Sequence, residues 1–562
     1  MMNRRTFLQV VGAAAPASLA GPTADAAESN EAQASTAKPI VFVREDFHHL
    51  SGIAPPLRRE DVTKTVDVIA GTGVNTLIFS LGSRGGMCLY DTRVGQMHST
   101  NVDKWTHAVN YRDALHVRQL VKEGWDRPQL FCERCHEEDM LFIASAPINI
   151  GADTSDRNRG LGRTSDFVFD NQHLSVGKDN DPRAEHISPT RMNFIHPEVR
   201  AERLQIYEEF LSRYETDGVE VQSEVLPICK YNEVERCASL LTEWLRKLKA
   251  IALKAEKSQS RKKRIWFRVP ADPKDWEAVG FDVAQWIKDG SIDGLLCASS
   301  DPEVFDQDLD LTRAVELSEG TPCDVIVDCG MHFAKRRANK PTPELLFGAA
   351  ANAYDQGAVG FGLNDMVRSQ SLSSLGRETH STLHLLGSPK QLATTSKIYH
   401  VRDQPKNLTT HGSGLPSVRP PLPQELLEGR EVKISLRIAD DLPHWHRLDR
   451  VRAARLRVRI TNLEPTLNQL KFELNDHELA DTTLSITDLN YRFVPEGVAY
   501  QGSQIFEFDL QPEHYPNRGL NIVAVTLVRR DPDVNMKFTV DDVDCSIEYR
   551  HHRHFDTDPI QY

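Results

Sequence analysis

Between Pro39 and about Met366 the chain alternates short apolar runs with helix-like segments, and this alternation limits the fold more than any other feature. The runs are Ile40 to Arg44, Thr76 to Ser80, Leu141 to Ala146, Gly218 to Val221, Ile265 to Val269, Gly294 to Cys297, Asp324 to Val327 and Val359 to Leu363. They are too short for helices and too continuously apolar for a strand with one wet face. They therefore read as strands buried on both sides, as in a parallel sheet covered by helices. The segments between them have helical spacing. In Glu233 to Ala255, for example, Leu240, Leu241, Trp244, Leu245 and Leu248 share one face. Eight such strands predict an α/β fold of the (β/α)8 TIM-barrel type. An open doubly wound sheet would carry a Gly-rich phosphate loop after its first strand, and Arg44-Glu-Asp-Phe-His-His49 is unlike one.

The pattern changes after Met366. The stretch 386–425 is rich in Pro, Ser, Thr and Gly and reads as a linker. Residues 426–562 then alternate with period two over Val432 to Ile438, Ala454 to Ile460, Gln469 to Leu474, Gln504 to Leu510, Asn521 to Leu527, Met536 to Val540 and Asp544 to Tyr549. This predicts a C-terminal antiparallel β-sandwich, behind a barrel domain spanning 38–385. Such a domain either binds sugar or braces the barrel.

Residues 1–37 read as a targeting segment. Arg4-Arg5-Thr6-Phe7-Leu8 precedes an apolar stretch from Val10 to Ala20, and Ala24-Asp25-Ala26 is a small-x-small cleavage candidate. Twin arginines before Phe-Leu point to a Tat-type signal and hence to an exported, periplasmic or extracellular protein. Nothing after the leader is long and apolar enough to span a membrane. A net charge of −13 argues against nucleic acid as a partner. The nine cysteines are odd in number and irregularly spaced, so no disulfide framework is legible, and most read as small core residues.

Catalytic residues of such a barrel belong at the C-terminal strand ends. The fourth run leads into two carboxylates, Glu220 and Glu224, and paired carboxylates are what acid/base chemistry on a glycosidic bond requires. Glu220 and Gln222 share one side of that strand. Asp217-Gly218, at its start, reads as structural. Other strand ends supply Asp46 and His48, Asn149, Arg268, Asp328 and Asn364. Acids, amides, Arg and His together suit a polyhydroxylated or anionic glycan. The loop from Asn149 to Asn193 is much longer than the rest, as loops over an active face often are. Cys132-Glu-Arg-Cys-His136 matches the c-type haem attachment pattern, but it lies in a helix-like run and occurs once, so no cofactor is expected. His551-His552-Arg-His554 reads as a polar tail and Arg261-Lys-Lys-Arg264 as a solvated turn, and no metal site is expected.

Asn193-Phe-Ile-His-Pro-Glu-Val-Arg200, Tyr207-Glu-Glu209, Arg213-Tyr214 and Asp217-Gly-Val-Glu-Val221 follow an order that resembles the glycosyl hydrolase-like TIM-barrel family of exported bacterial proteins, of the planctomycete type. His136 and Met140 resemble the turn that precedes that family's third strand. The resemblance implies a barrel acting on a polysaccharide or oligosaccharide. By analogy with many barrels of this class it places an acid/base at strand four, Glu220 or Glu224, and a nucleophile or base at strand seven, Asp328. Asp46, His48, Asn149, Arg268 and Asn364 are then the sugar-holding residues. One departure bears on activity: where the family has an acid after its strand-four Glu, this chain has Gln222, which cannot take part in proton transfer near neutral pH. Either Glu220 and Glu224 carry the chemistry, or the barrel binds sugar without cutting it.

Overall fold

The eight predicted runs become eight parallel strands that close on one another in sequence order in a computed structural model of the chain: β1 (Ile40–Glu45), β2 (Thr76–Ser80), β3 (Leu141–Pro147), β4 (Gly218–Gln222), β5 (Arg264–Pro270), β6 (Gly294–Ala298), β7 (Asp324–Cys329) and β8 (Gly360–Asn364), with β8 paired back to β1. The structure describes residues 38–45, 48–152, 156, 159–223, 227–300, 303–333, 341–364, 377–402, 421–489 and 502–551. Helices α1 (Arg59–Ile69), α2 (Ala108–Glu123), α3 (Arg127–Glu137), α4 (Pro197–Arg213), α5 (Val234–Gln259) and α6 (Pro343–Asp355) are among those that cover the barrel. On α5, Leu241, Trp244, Leu245 and Leu248 are buried, which is the face its spacing predicts.

Inside the barrel, Phe42, Ile78, Ile143, Trp266, Leu296 and Ile326 form a closed apolar cluster. Large rings fit there because glycines face them. Any side chain at Gly362 would overlap the Phe42 ring, and one at Gly294 would press on the Trp266 indole. This plug fills the barrel interior below the C-terminal strand ends.

The C-terminal region forms two antiparallel sheets around a separate core that includes Leu456, Val458, Phe472, Phe506, Val525 and Ile547. Its strands are β9 (Lys397–His400), β10 (Gln424–Leu426), β11 (Glu431–Ile438), β12 (Val451–Thr461), β13 (Gln469–Leu474), β14 (His477–Glu478), β15 (Leu484–Asp488), β16 (Ser503–Asp509), β17 (Gly519–Arg529) and β18 (Phe538–Tyr549). One sheet runs β9-β18-β12-β16-β15 with β10 also on β18, and the other runs β11-β17-β13-β14. Two details differ from the sequence reading. The last two predicted strands are one strand, β18, whose register on β12 shifts between Arg459 and Ile460. The stretch read as a linker contributes β9 and β10, and β9 pairs with β18 from Lys397↔Ile547 to His400↔Asp544. Four residues among turn-formers give too short an alternation to read.

The two parts are joined by specific bonds. Gln307, in the β6 loop, accepts from the His400 amide at 2.7 Å and donates to the Ile398 carbonyl at 3.0 Å. Arg402 donates to Ser299 Oγ at 3.0 Å and pairs with Asp306 at 3.2 Å. Arg437 pairs with Asp308 at 2.7 Å. The sandwich thus braces the loop that carries Ser299 at the end of β6.

The barrel interior yields a direct test. Gly362→Ala has to displace the Phe42 ring, and overpacking of this kind costs about 1–3 kcal/mol. Urea denaturation of the full chain is expected to show that loss, and an unchanged midpoint would contradict the packing of the plug.

Candidate active site

Side chains two residues apart on a strand point to the same side. The positions two beyond the apolar plug are therefore also interior, and here the barrel turns polar: Arg44 after Phe42, Ser80 after Ile78, Ser145 after Ile143, Arg268 after Trp266 and Asp328 after Ile326. Ala298, after Leu296, is the exception. β4 adds Glu220 and then Gln222, and β8 adds Asn364, whose Cα pairs in register with Arg44.

Four charged groups meet in this layer. Arg44 Nη2 donates to Glu220 Oε1 in a short contact. Arg268 Nε lies 3.6 Å from the same Glu220 oxygen and 2.9 Å from Asp328 Oδ2. The Arg268–Asp328 contact is an ion pair without hydrogen-bond alignment, since neither atom has a hydrogen-bond partner among the described residues. Both carboxylate side chains are 0% exposed. Two guanidiniums and two carboxylates cancel in charge, as buried ions must for the barrel to close around them. Burial pushes the Glu220 carboxyl up, against the pull of Arg44. Burial also pushes Asp328 up to about 6, again opposed by Arg44. Each acid is thereby brought toward the range where it can hold or release a proton near neutral pH. Glu220 Oε2, Arg268 Nη2 and both Asp328 oxygens have no hydrogen-bond partner among the described residues, and all of them are buried. Above it, Gln222 Oε1 accepts from Ser80 at 3.3 Å and Ser145 at 3.4 Å.

Of the residues singled out from the sequence, the fold brings together Glu220, Asp328 and Arg268, and Asn364 stands level with Arg44 on the neighbouring strand. Asn149 is buried two residues beyond β3, and His48 opens a short helix, His48–Ser51, after β1. Asp46 and Glu224 lie outside the described residues. The residue that sequence reasoning missed is Arg44. Its signal was present: a cation inside the apolar run IVFVRE, two residues from Phe42 and so on the interior side.

The motif residues around β4 serve the fold rather than this layer. Asp217 sits at the N-terminal end of the strand, where it accepts from the Phe142 amide at 2.9 Å, contacts His136 Nε2 at 2.8 Å and receives Arg261 at 3.0 Å. Burial opposes its charge, but these partners hold its pKa below the usual value. The basic run Arg261–Arg264 is not a solvated turn: Arg261 is part of this cluster, and Lys263 is 1% exposed with its ammonium on the carbonyls of Thr216 at 2.5 Å and Tyr214 at 3.3 Å. Glu209 on α4 collects Tyr90, Thr92 and the Arg93 amide. Cys132 and Cys135 are buried on α3 against the core. The long loop after β3 builds its own frame: buried Asp156 accepts the amides of Leu161, Arg163 and Thr164, and the Phe194 amide joins the loop to the Ile228 carbonyl beyond β4.

No protein-family model matches the chain, and no curated protein matches it. Among solved structures it is similar to the glycoside hydrolase domain of PgaB (BpsB) from Bordetella bronchiseptica, at 11% identity and a TM-score of 0.39 over 62% of this chain and 99% of that one. It is also similar to a chitinase from Bacteroides thetaiotaomicron, at 8% identity and a TM-score of 0.35 over 63% and 98%. A third similarity is to α-L-fucosidase isoenzyme 2 from Paenibacillus thiaminolyticus, at 9% identity and a TM-score of 0.39; it covers 63% of this chain and only 49% of that one. These neighbours are glycoside hydrolases, and at such scores the likeness carries no assignment of activity.

Two measurements check the charge balance. Arg44→Met strands a buried carboxylate and is expected to cost about 3–5 kcal/mol, whereas Arg44→Met with Glu220→Met should recover most of it; equal losses in both variants would contradict the pairing. Asp328 titrates near 6 when folded and near its ordinary value of about 3.9 when unfolded, so the native state binds the extra proton between those values. Stability due to Asp328 is therefore greatest at low pH and falls as pH rises through this window. Relative to Asp328→Asn, the wild type should lose stability between about pH 4 and pH 6 and show no further change above.

Proposed function

We propose that this protein is an exported glycoside-hydrolase-like enzyme that cleaves O-glycosidic bonds of a polysaccharide, with Glu220 and Asp328 as its carboxylate pair. The observation that carries the reading is their meeting on one Arg268 side chain, in the polar layer above the barrel plug. Glu220, pushed up by burial, is the proton donor to the leaving oxygen, and Asp328 is the nucleophile or base. Glu224 is the second candidate donor. Both carboxylate oxygens lie within 3.6 Å of one nitrogen. That geometry favours the spacing of about 5–5.5 Å used by retaining enzymes over the about 6.5–9.5 Å of inverting ones. Arg44, Arg268 and Asn364 hold the sugar hydroxyls, joined by Asn149, Asp46 and His48 from the loops. The twin-arginine leader in residues 1–37 directs export, and the sandwich is an accessory domain that fixes the β6 loop. No helix among the described residues is long and apolar enough to cross a membrane.

Gln222 and the cancelled charge of the polar layer favour a second reading, in which the barrel binds glycan without cutting it. A screen of plant and marine polysaccharides for released reducing ends separates the two. Wild type is expected to depolymerise at least one, while Glu220→Gln and Asp328→Asn each lower kcat/KM by about 10²–10⁴. Activity unchanged in both variants would overturn the site assignment, and polysaccharide binding without cleavage by wild type would establish the second reading. Asp328 must be ionised to act, so activity should rise with pH through about 6.

A further inference from the structure

A pocket of about 230 Å³ opens on the flank of the barrel, between α2 and the turn that leads into α3. One wall is apolar, made by Leu89 and by Val117 and Leu120 of α2, and Trp125 closes one side. The polar lining of the pocket includes Asp91, Asp126 and Arg213. Arg213, the last residue of α4, donates to Asp126 Oδ2 at 2.9 Å and to Glu209 at 3.0 Å. Arg213 stands only five residues before β4 begins, so the pocket lies toward the N-terminal strand ends, away from the Glu220 layer.

We propose that this pocket is a second carbohydrate site, which seats one sugar ring of the same polysaccharide on the flank while the barrel works on the chain; this rests on the carbohydrate reading of the barrel. Its size fits a single ring. It is smaller than the about 300–1,000 Å³ of sites for larger ligands. Its chemistry fits an amphipathic ring as well. Trp125 and the apolar wall match the C–H face of a pyranose, while the polar lining matches its hydroxyls. Asp126 already binds Arg213 and the Tyr214 hydroxyl through Oδ2, both at 2.9 Å. Asp91, which also lines the pocket, keeps an exposed carboxylate that accepts from a ligand bringing a donor. Arg213 is held in place by its carboxylates and offers donors without first being ordered. Asp91 and Asp126 together exclude a phosphate or sulfate group. A hydroxyl, which both donates and accepts, satisfies the two kinds of partner at once.

The test is saturation-transfer NMR on the full chain with a panel of neutral hexoses, deoxyhexoses, pentoses and their methyl glycosides. At least one is expected to bind in the millimolar range. Trp125→Ala should weaken it at least tenfold, as should Val121→Trp, which fills the pocket from its exposed rim and removes no core contact. Glu220→Gln should leave this binding unchanged. The proposal is overturned if no sugar gives a signal that Val121→Trp removes, or if every signal is lost in Glu220→Gln instead, since binding then belongs to the barrel. Intact flank binding with no polysaccharide cleaved would count against the hydrolase reading and not against this site.

Discussion

The structure depends on burying two carboxylates and two guanidiniums above an apolar plug. Taking each ion out of water costs several kcal/mol, and only close pairing returns it. Arg44 and Arg268 reach Glu220 and Asp328 because β1, β4, β5 and β7 stand in closed-barrel register. The arrangement is neutral as a whole but incomplete in detail, since several of its polar atoms face no protein partner among the described residues. The polar layer stands on the C-terminal side of the plug, the side on which sites of this fold are built.

Much of the fold was legible because burial on both faces leaves a plain record. Runs such as TLIFS and GLLCA cannot be wet on either side, and eight of them between helices leave few architectures. The β-sandwich was legible for the same kind of reason, through period-two alternation. What escaped was short or ambiguous. β9 has four residues, and its partner β18 is far along the chain. The basic run before β5 looked solvated because sequence does not show that Lys263 turns inward onto two carbonyls.

The polar layer was legible in part. Glu220, Asp328 and Arg268 could be named from strand ends, and they meet inside the barrel with Arg44. Arg44 was harder to read because it borders the acidic residues Glu45 and Asp46 at the end of its strand. The alternation of Phe42 and Arg44 along β1 nonetheless places that cation inside. Three of the residues in the family resemblance, His136, Asp217 and Glu209, tie the barrel together. A motif match around β4 therefore speaks for fold, and chemistry has to be argued from the interior layer.

The most direct test of the central claim is to look for a covalent sugar on Asp328. A 2-deoxy-2-fluoro glycoside of the cleaved sugar, with a good leaving group, slows breakdown of any glycosyl-enzyme formed by a retaining mechanism. Mass spectrometry of the treated full chain should find one adduct, mapped to the β7 peptide at Asp328 and absent from Asp328→Asn. An adduct on another carboxylate, or turnover of the reagent with Asp328 unlabelled, would contradict the account.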